Sequence, residues 1–168
     1  MSIAQSLLPE FDQEMANTRK VLERVPDDKW NWKPHEKSGT AGWLAGHVGT
    51  IPDWLTFTLN TEQLDYAPVD GSNSYTPPKT ENRAQLLAAF DKCCADARTA
   101  LAAASDQDLM KNWTLLAGGK EIFTMPRIAC VRGMIMNHLI HHRAQLTVYL
   151  RLLNLPVPGL YGPSADES

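Results

Sequence analysis

The chain has 168 residues, 43 % of them hydrophobic and 21 % charged, with a net charge of −3, the profile of one globular domain spanning 1–168. It shows no Lys/Arg cluster, which excludes nucleic acid and anionic membrane surfaces as expected partners, and no apolar run near the ~18 residues of a spanning helix. Three Cys, two of them adjacent, make no disulfide framework, so a reducing, cytoplasmic setting is expected.

The start, MSIAQSLLPEFDQEM, is amphipathic and acidic, unlike a signal peptide. Ile3, Leu7, Leu8, Phe11, Met15, Leu22 and Val25 recur at helical spacing and predict a first helix over about 4–25, ended by Pro26. Trp30 and Trp32 follow in a polar turn, where they either cap a bundle core or form a ligand lid; capping is the reading preferred.

Ser38, Gly39 and Thr40 supply an N-cap signal for a second helix over about 40–59. Trp43, Leu44, Ile51 and Trp54 lie within about 60° of His47 on a helical wheel. His47 is therefore predicted to face inward, as a hydrogen-bonded core residue or as a ligand. Pro52 predicts a kink, and Gly42, Gly46 and Gly49 allow close helix contacts. His35 falls in the polar loop before this helix. Residues 60–79 are rich in turn formers and read as a long loop, the kind that is often functional or mobile.

Leu86, Leu87, Phe90, Ala97 and Leu101 form the stripe of a third helix over about 80–104. Cys93 and Cys94 diverge by about 100° on it, cannot share one site, and read as small core residues. SDQDL opens a short helical turn. NWTLLAGGKEIFT then alternates around Ala117-Gly118-Gly119 and predicts a small β-hairpin packed against the bundle. Pro126 suits the first turn of a fourth helix reaching about Leu153. The Pro- and Gly-rich tail is expected to lie irregularly along the surface.

The fourth helix holds three of the five histidines. His138 and His142 are four apart, on one face and about 5–6 Å from each other at Cβ. Two neutral imidazoles so placed can converge on a divalent metal, or can simply be surface or core polar groups. Val131, Met134, Ile135, Gln145, Tyr149 and Leu152 share their stripe, which predicts that this face points into the protein. His141 sits on the other flank. Two ligands rarely hold a metal alone, and His47 is the other histidine predicted to face a core. Gln145 reads either as a group that orients a ligand or binds substrate, or as a core amide. Trp43, Trp54 and Tyr149 either wall a substrate pocket or pack the core. Cys130 lies about 12 Å along the axis before His138, too far to join it. The nucleophile is expected to arrive with the substrate or from water.

The stretches GWLAGHVGTIPDWL around His47 and MNHLIHHRAQLTVYLRLLNLPVPGLYGPSADE around His138 and His142 resemble the DinB-like family. Its members carry a similar H-x-x-x-H-R-x-Q-L run and a chain end like YGPSADE. The resemblance covers essentially the whole chain, most weakly over 60–79. It implies an all-α fold: an up-down-down-up four-helix bundle, often a homodimer, to which the sequence adds the small β-hairpin and long loops. It also implies a metal held by His47, His138 and His142, with Arg143 favouring 142 over 141. The activity it implies is that of a metal-dependent thiol transferase or hydrolase acting on a small molecule; relatives include enzymes that use low-molecular-weight thiols. The alternative is a non-enzymatic metal- or ligand-binding stress-response protein. Three neutral imidazoles leave a divalent ion its full charge and an open coordination position. Zinc is the first expectation and nickel remains open, because imidazole does not decide between them.

Overall fold

The computed structural model describes residues 1–72 and 75–167. The long-loop expectation at 73 and 74, and the domain boundary at 168, lie outside the described residues.

Helix α1, Ile3–Leu22, starts at a reciprocal cap: the Ser2 hydroxyl accepts from the Gln5 N–H, and the Gln5 side chain accepts from the Ser2 N–H. It stops three residues short of the sequence expectation. The N–H groups of Arg24 and Val25 bond back to Val21 and Leu22 in a tightened last turn, and Pro26 disfavours helical backbone at Val25. Helix α2, Ala41–Asn60, is capped by Thr40 on the Trp43 N–H and runs on through Pro52. Helix α3, Arg83–Ala103, starts three residues later than expected because Asn82 caps it through the Gln85 N–H. A short α4, Asp106–Met110, leads to strands β2 (Asn112–Ala117) and β3 (Lys120–Pro126). Then come α5 (Arg127–Ala129), a π-helical stretch (Cys130–Met136) and α6 (Asn137–Leu152), which follow one another without a break.

The four long helices form a ring in which α1 and α2 each pack on α3 and on α6. Between them lies an apolar core of Phe11, Leu22, Ile51, Leu55, Leu86, Phe90, Leu101, Leu139 and Leu146, with other buried residues around these. Close approach of α2 to α3 depends on Gly49, where a Cβ would stand 2.7 Å from Leu86 Cδ1. Gly42 likewise leaves room for the Trp30 indole, which would meet a Cβ there at 2.2 Å. Trp30 packs against the core and Trp32 meets Tyr149 edge-on at 5.7 Å, so the Trp pair closes one end of the bundle.

The hairpin is present and gains a third strand. Residues Gln63–Asp65 form β1, which pairs parallel to β2, while β2 and β3 pair antiparallel. Nothing in QLD alternates strongly enough to announce a strand; the open edge of β2 makes it one. The Asp65 carboxylate secures it by accepting the N–H groups of Gly118 and Gly119, at 3.0 and 2.7 Å. Both glycines have positive φ at the hairpin turn.

Two expectations drawn from helical wheels need correction. The buried face of α6 is Leu139, Arg143, Leu146 and Leu150, whereas Gln145 is exposed and Leu152 is 55 % exposed. The His138–His142 stripe therefore runs along the border of the buried face, not down its middle. A π segment holds more residues per turn than an α-helix, so one wheel cannot describe Val131 and Leu152 together. On α2, Trp43 is 59 % exposed, although Leu44 and Ile51 are buried. His47 is half-buried beside them.

The tail is more tightly held than its composition suggests. Arg151 donates twice to Asp166, the Val157 N–H bonds Asp166, and the Gly159 N–H bonds Glu167. Among the described residues no helix is long and apolar enough to cross a membrane.

Candidate metal centre

Helix α2 supplies His47, and α6 supplies His138 and His142. Because α2 packs on α6, the three rings meet: one nitrogen from each lies within 4.8 Å of the others. The ring centroids are 5.1 Å apart for His47 and His138, 4.7 Å for His47 and His142, and 4.5 Å for His138 and His142. The Nε2 atoms of His47 and His138 face each other at 3.3 Å.

Gln145 orders the third ring. Its Oε1 sits 2.7 Å from His142 Nδ1, and its Nε2 sits 3.1 Å from His141 Nε2. A carboxamide oxygen only accepts and its nitrogen only donates. This arrangement puts the proton of His142 on Nδ1 and leaves the Nε2 lone pair for a ligand. His141 is thereby engaged from outside: its ring is 4.9 Å from that of His142 and bonded to Gln145. His35 is exposed in its loop, its Nδ1 accepting the Lys37 N–H.

The Trp43 ring stacks on His47 at 5.4 Å and 9°, and Trp54 meets the same imidazole at 5.7 Å. Burial pushes His47 down to about 4, with His142 and His138 adding charge repulsion. Burial and His142 also lower His138, against a hydrogen bond to the Met134 backbone. Neutral imidazole is the form that ligates metal. Three imidazole nitrogens converging on one point suit a divalent metal ion.

Two cavities flank this cluster and share no lining residue. One, of about 400 Å³, is bounded by Trp54 and Phe57 of α2, Leu115 and Phe123 of the sheet, and Met134 and His138. The other, of about 370 Å³, is bounded by His47, Trp30, Trp43, Asn31 and Thr80, among others. Of the four expected pocket residues, Trp54 walls the first cavity and Trp43 the second. Gln145 and Tyr149 border a third depression with Ser38, Gly39 and, again, Trp43, where the Tyr149 hydroxyl donates to the Gly39 carbonyl. Sequence reasoning missed the sheet's share of the first cavity; the aromatic residues in NWTLLAGGKEIFT were its one available signal. It also missed the partners of the buried Arg143, Glu14 and Thr18 of α1.

Residues 10–146 match the family model described as the DinB superfamily. The chain belongs to that superfamily. It is similar to an uncharacterised protein of Bacillus subtilis, YrdA, with 29 % identity over 95 % of this chain and 89 % of that one. The fold is shared with two crystal structures. A DinB-like protein of Bacillus cereus superposes with TM-score 0.71 at 24 % identity, covering 95 % of this chain and 98 % of that one. The DinB-like YjoA of Bacillus subtilis gives 0.70 at 18 % identity, covering 95 % and 99 %.

Proposed function

We propose that His47, His138 and His142 hold one divalent metal ion, zinc before nickel, and that this DinB superfamily protein is a metal-dependent enzyme acting on a small molecule. The reaction is transfer of a thiol to an electrophile, or else hydrolysis. One observation carries the reading: His138 belongs at once to the three-imidazole cluster and to the wall of a 400 Å³ cavity. A structural metal site is closed by its ligands, whereas a catalytic one leaves a position that substrate can reach.

When bound, such an ion supplies Lewis acidity that lowers the pKa of a thiol or of water. The chain's own residues do the rest. Gln145 sets the His142 tautomer. Trp43 and Trp54 shield His47 from water on two sides. The protein's own thiols are unsuited to attack, because burial pushes Cys93 and Cys130 up to about 11 and Cys94 higher still. The nucleophile therefore enters with the substrates. A low-molecular-weight thiol suits, since zinc and nickel both accept sulfur. The working form is a cytoplasmic homodimer.

The test is cobalt-substituted protein mixed with the host's low-molecular-weight thiol. A new thiolate-to-metal charge-transfer band is expected, followed by conjugation to a reactive electrophile faster than in His138→Ala. Neither band nor rate difference, with cobalt in place, removes thiol transfer and leaves hydrolysis or plain metal binding.

A further inference from the structure

We propose that the 400 Å³ cavity takes a neutral aromatic molecule and presents its reacting group to His138. The inference rests on the three-imidazole cluster being the reacting centre, and it adds the substrate class.

The lining carries no Asp, Glu, Lys or Arg. Away from His138, an ionised substrate group would therefore be stripped of water without a counter-charge, which is costly. The walls are mostly aromatic rings set at differing angles. Trp113 and Phe123 stand 6.2 Å apart and inclined by 48°. Phe57 meets Tyr75 edge-on at 4.9 Å. Trp54 tilts against His138 at 5.3 Å. Rings so arranged offer both faces and edges to a guest, the geometry that favours an aryl group over an alkyl one. Trp113 spends its one donor within the protein, on Thr61 Oγ1 at 3.1 Å, so its indole offers the cavity only apolar surface. The His138 ring marks the polar end of the cavity. The volume falls in the small-molecule range.

The second cavity sharpens the assignment. It is bounded by Asn31, Thr40 and Thr80 as well as by His47 and two Trp rings. A polar co-reactant thus has its own approach to the cluster, through His47, and the aromatic cavity is left to the apolar reactant.

The probe is 2-naphthol, with 2-naphthoate as its anionic counterpart, titrated into the full chain as purified and after chelator treatment. Tryptophan emission reports binding. Saturable quenching by 2-naphthol is expected in both preparations, and in the chelator-treated one, where no metal charge offsets a carboxylate, 2-naphthoate should bind about 100-fold more weakly. Leu115→Trp fills the cavity from the sheet and should abolish quenching. Leu64→Asp, on the more accessible β1, should weaken it if the first variant does not fold, circular dichroism being the check. In cobalt-loaded protein, 2-naphthol should shift the visible d–d bands. Equal binding of the two probes to the chelator-treated protein, or wild-type binding in both folded variants, overturns the proposal. So does quenching that leaves the cobalt spectrum unchanged. Because naphthol binding is also read without metal, failure of the metal site and failure of the aromatic site give different results.

Discussion

The Arg143 guanidinium meets the Glu14 carboxylate at 2.7 Å, with side-chain exposures of only 1 % and 7 %. Arg143 also donates to the Glu14 carbonyl, the Thr18 hydroxyl and the Tyr161 hydroxyl, and Tyr161 in turn donates to Glu14. One residue beyond His142, this network ties α6 to α1 and to the tail. It fixes the rotation of α6, and with it the direction of the His138–His142 edge toward His47.

Arg143→Ala should therefore destabilise the fold by about 3–5 kcal/mol, because it strands a buried carboxylate. Glu14→Leu combined with Arg143→Met should recover most of that loss. Urea denaturation measures both. A loss below about 1 kcal/mol for Arg143→Ala would mean that the pair contributes no more than a surface one.

Untagged protein should take up close to one divalent ion per chain. His47→Ala, His138→Ala and His142→Ala should each cut uptake severely, and His35→Ala should not. Gln145→Ala should weaken affinity by about 10–100-fold by freeing the His142 tautomer. If His141→Ala abolishes uptake while His142→Ala leaves it intact, the ligand assignment moves to 141.

The depressed His47 and His138 displace proton competition downward. Metal should be retained through pH 6.5, where free imidazole is half protonated, and lost as pH falls toward about 4. Without metal, the unfolded chain takes up its His47 proton first. Folding stability should thus be full above about 6.5 and decline as pH falls from there toward 4. Retention that stays flat below pH 4 would require a ligand other than imidazole.

Asp65→Ala removes the acceptors of Gly118 and Gly119 and should loosen β1 from β2. Amide exchange is the readout. The Tyr66 N–H, bonded to the Leu116 carbonyl, and the Thr114 N–H, bonded to the Glu62 carbonyl, should exchange faster, while the core of α2 keeps its protection. Unchanged rates would show that the strand pairing holds without the carboxylate.

Light scattering at micromolar concentration should report a dimer. Trp43, Val148 and Leu152 leave apolar surface on α2 and α6, at 59 %, 56 % and 55 % exposure. Val148→Asp should shift the equilibrium toward monomer if that surface is buried between subunits. A wild-type monomer counts against the dimer outright.

The four long helices, the hairpin and the shared face of His138 and His142 are written in local signals, whereas His47 as the third ligand and the choice of 142 over 141 came from the family resemblance. Apolar residues at helical spacing mark a buried stripe, Thr40 and Asn82 mark starts, Pro26 marks a stop, and two His four apart must share a face. Which flank of α6 is core is set by contacts distant in the chain. That depended on a buried Arg finding Glu14 on α1, from a residue type that local pattern assigns to solvent, and on a π-helical stretch that breaks the assumed period. Strand β1 likewise exists because β2 offers it an edge. The aromatic cavity is assembled from α2, the sheet and the last helical run, so its chemistry belongs to no single segment of the chain.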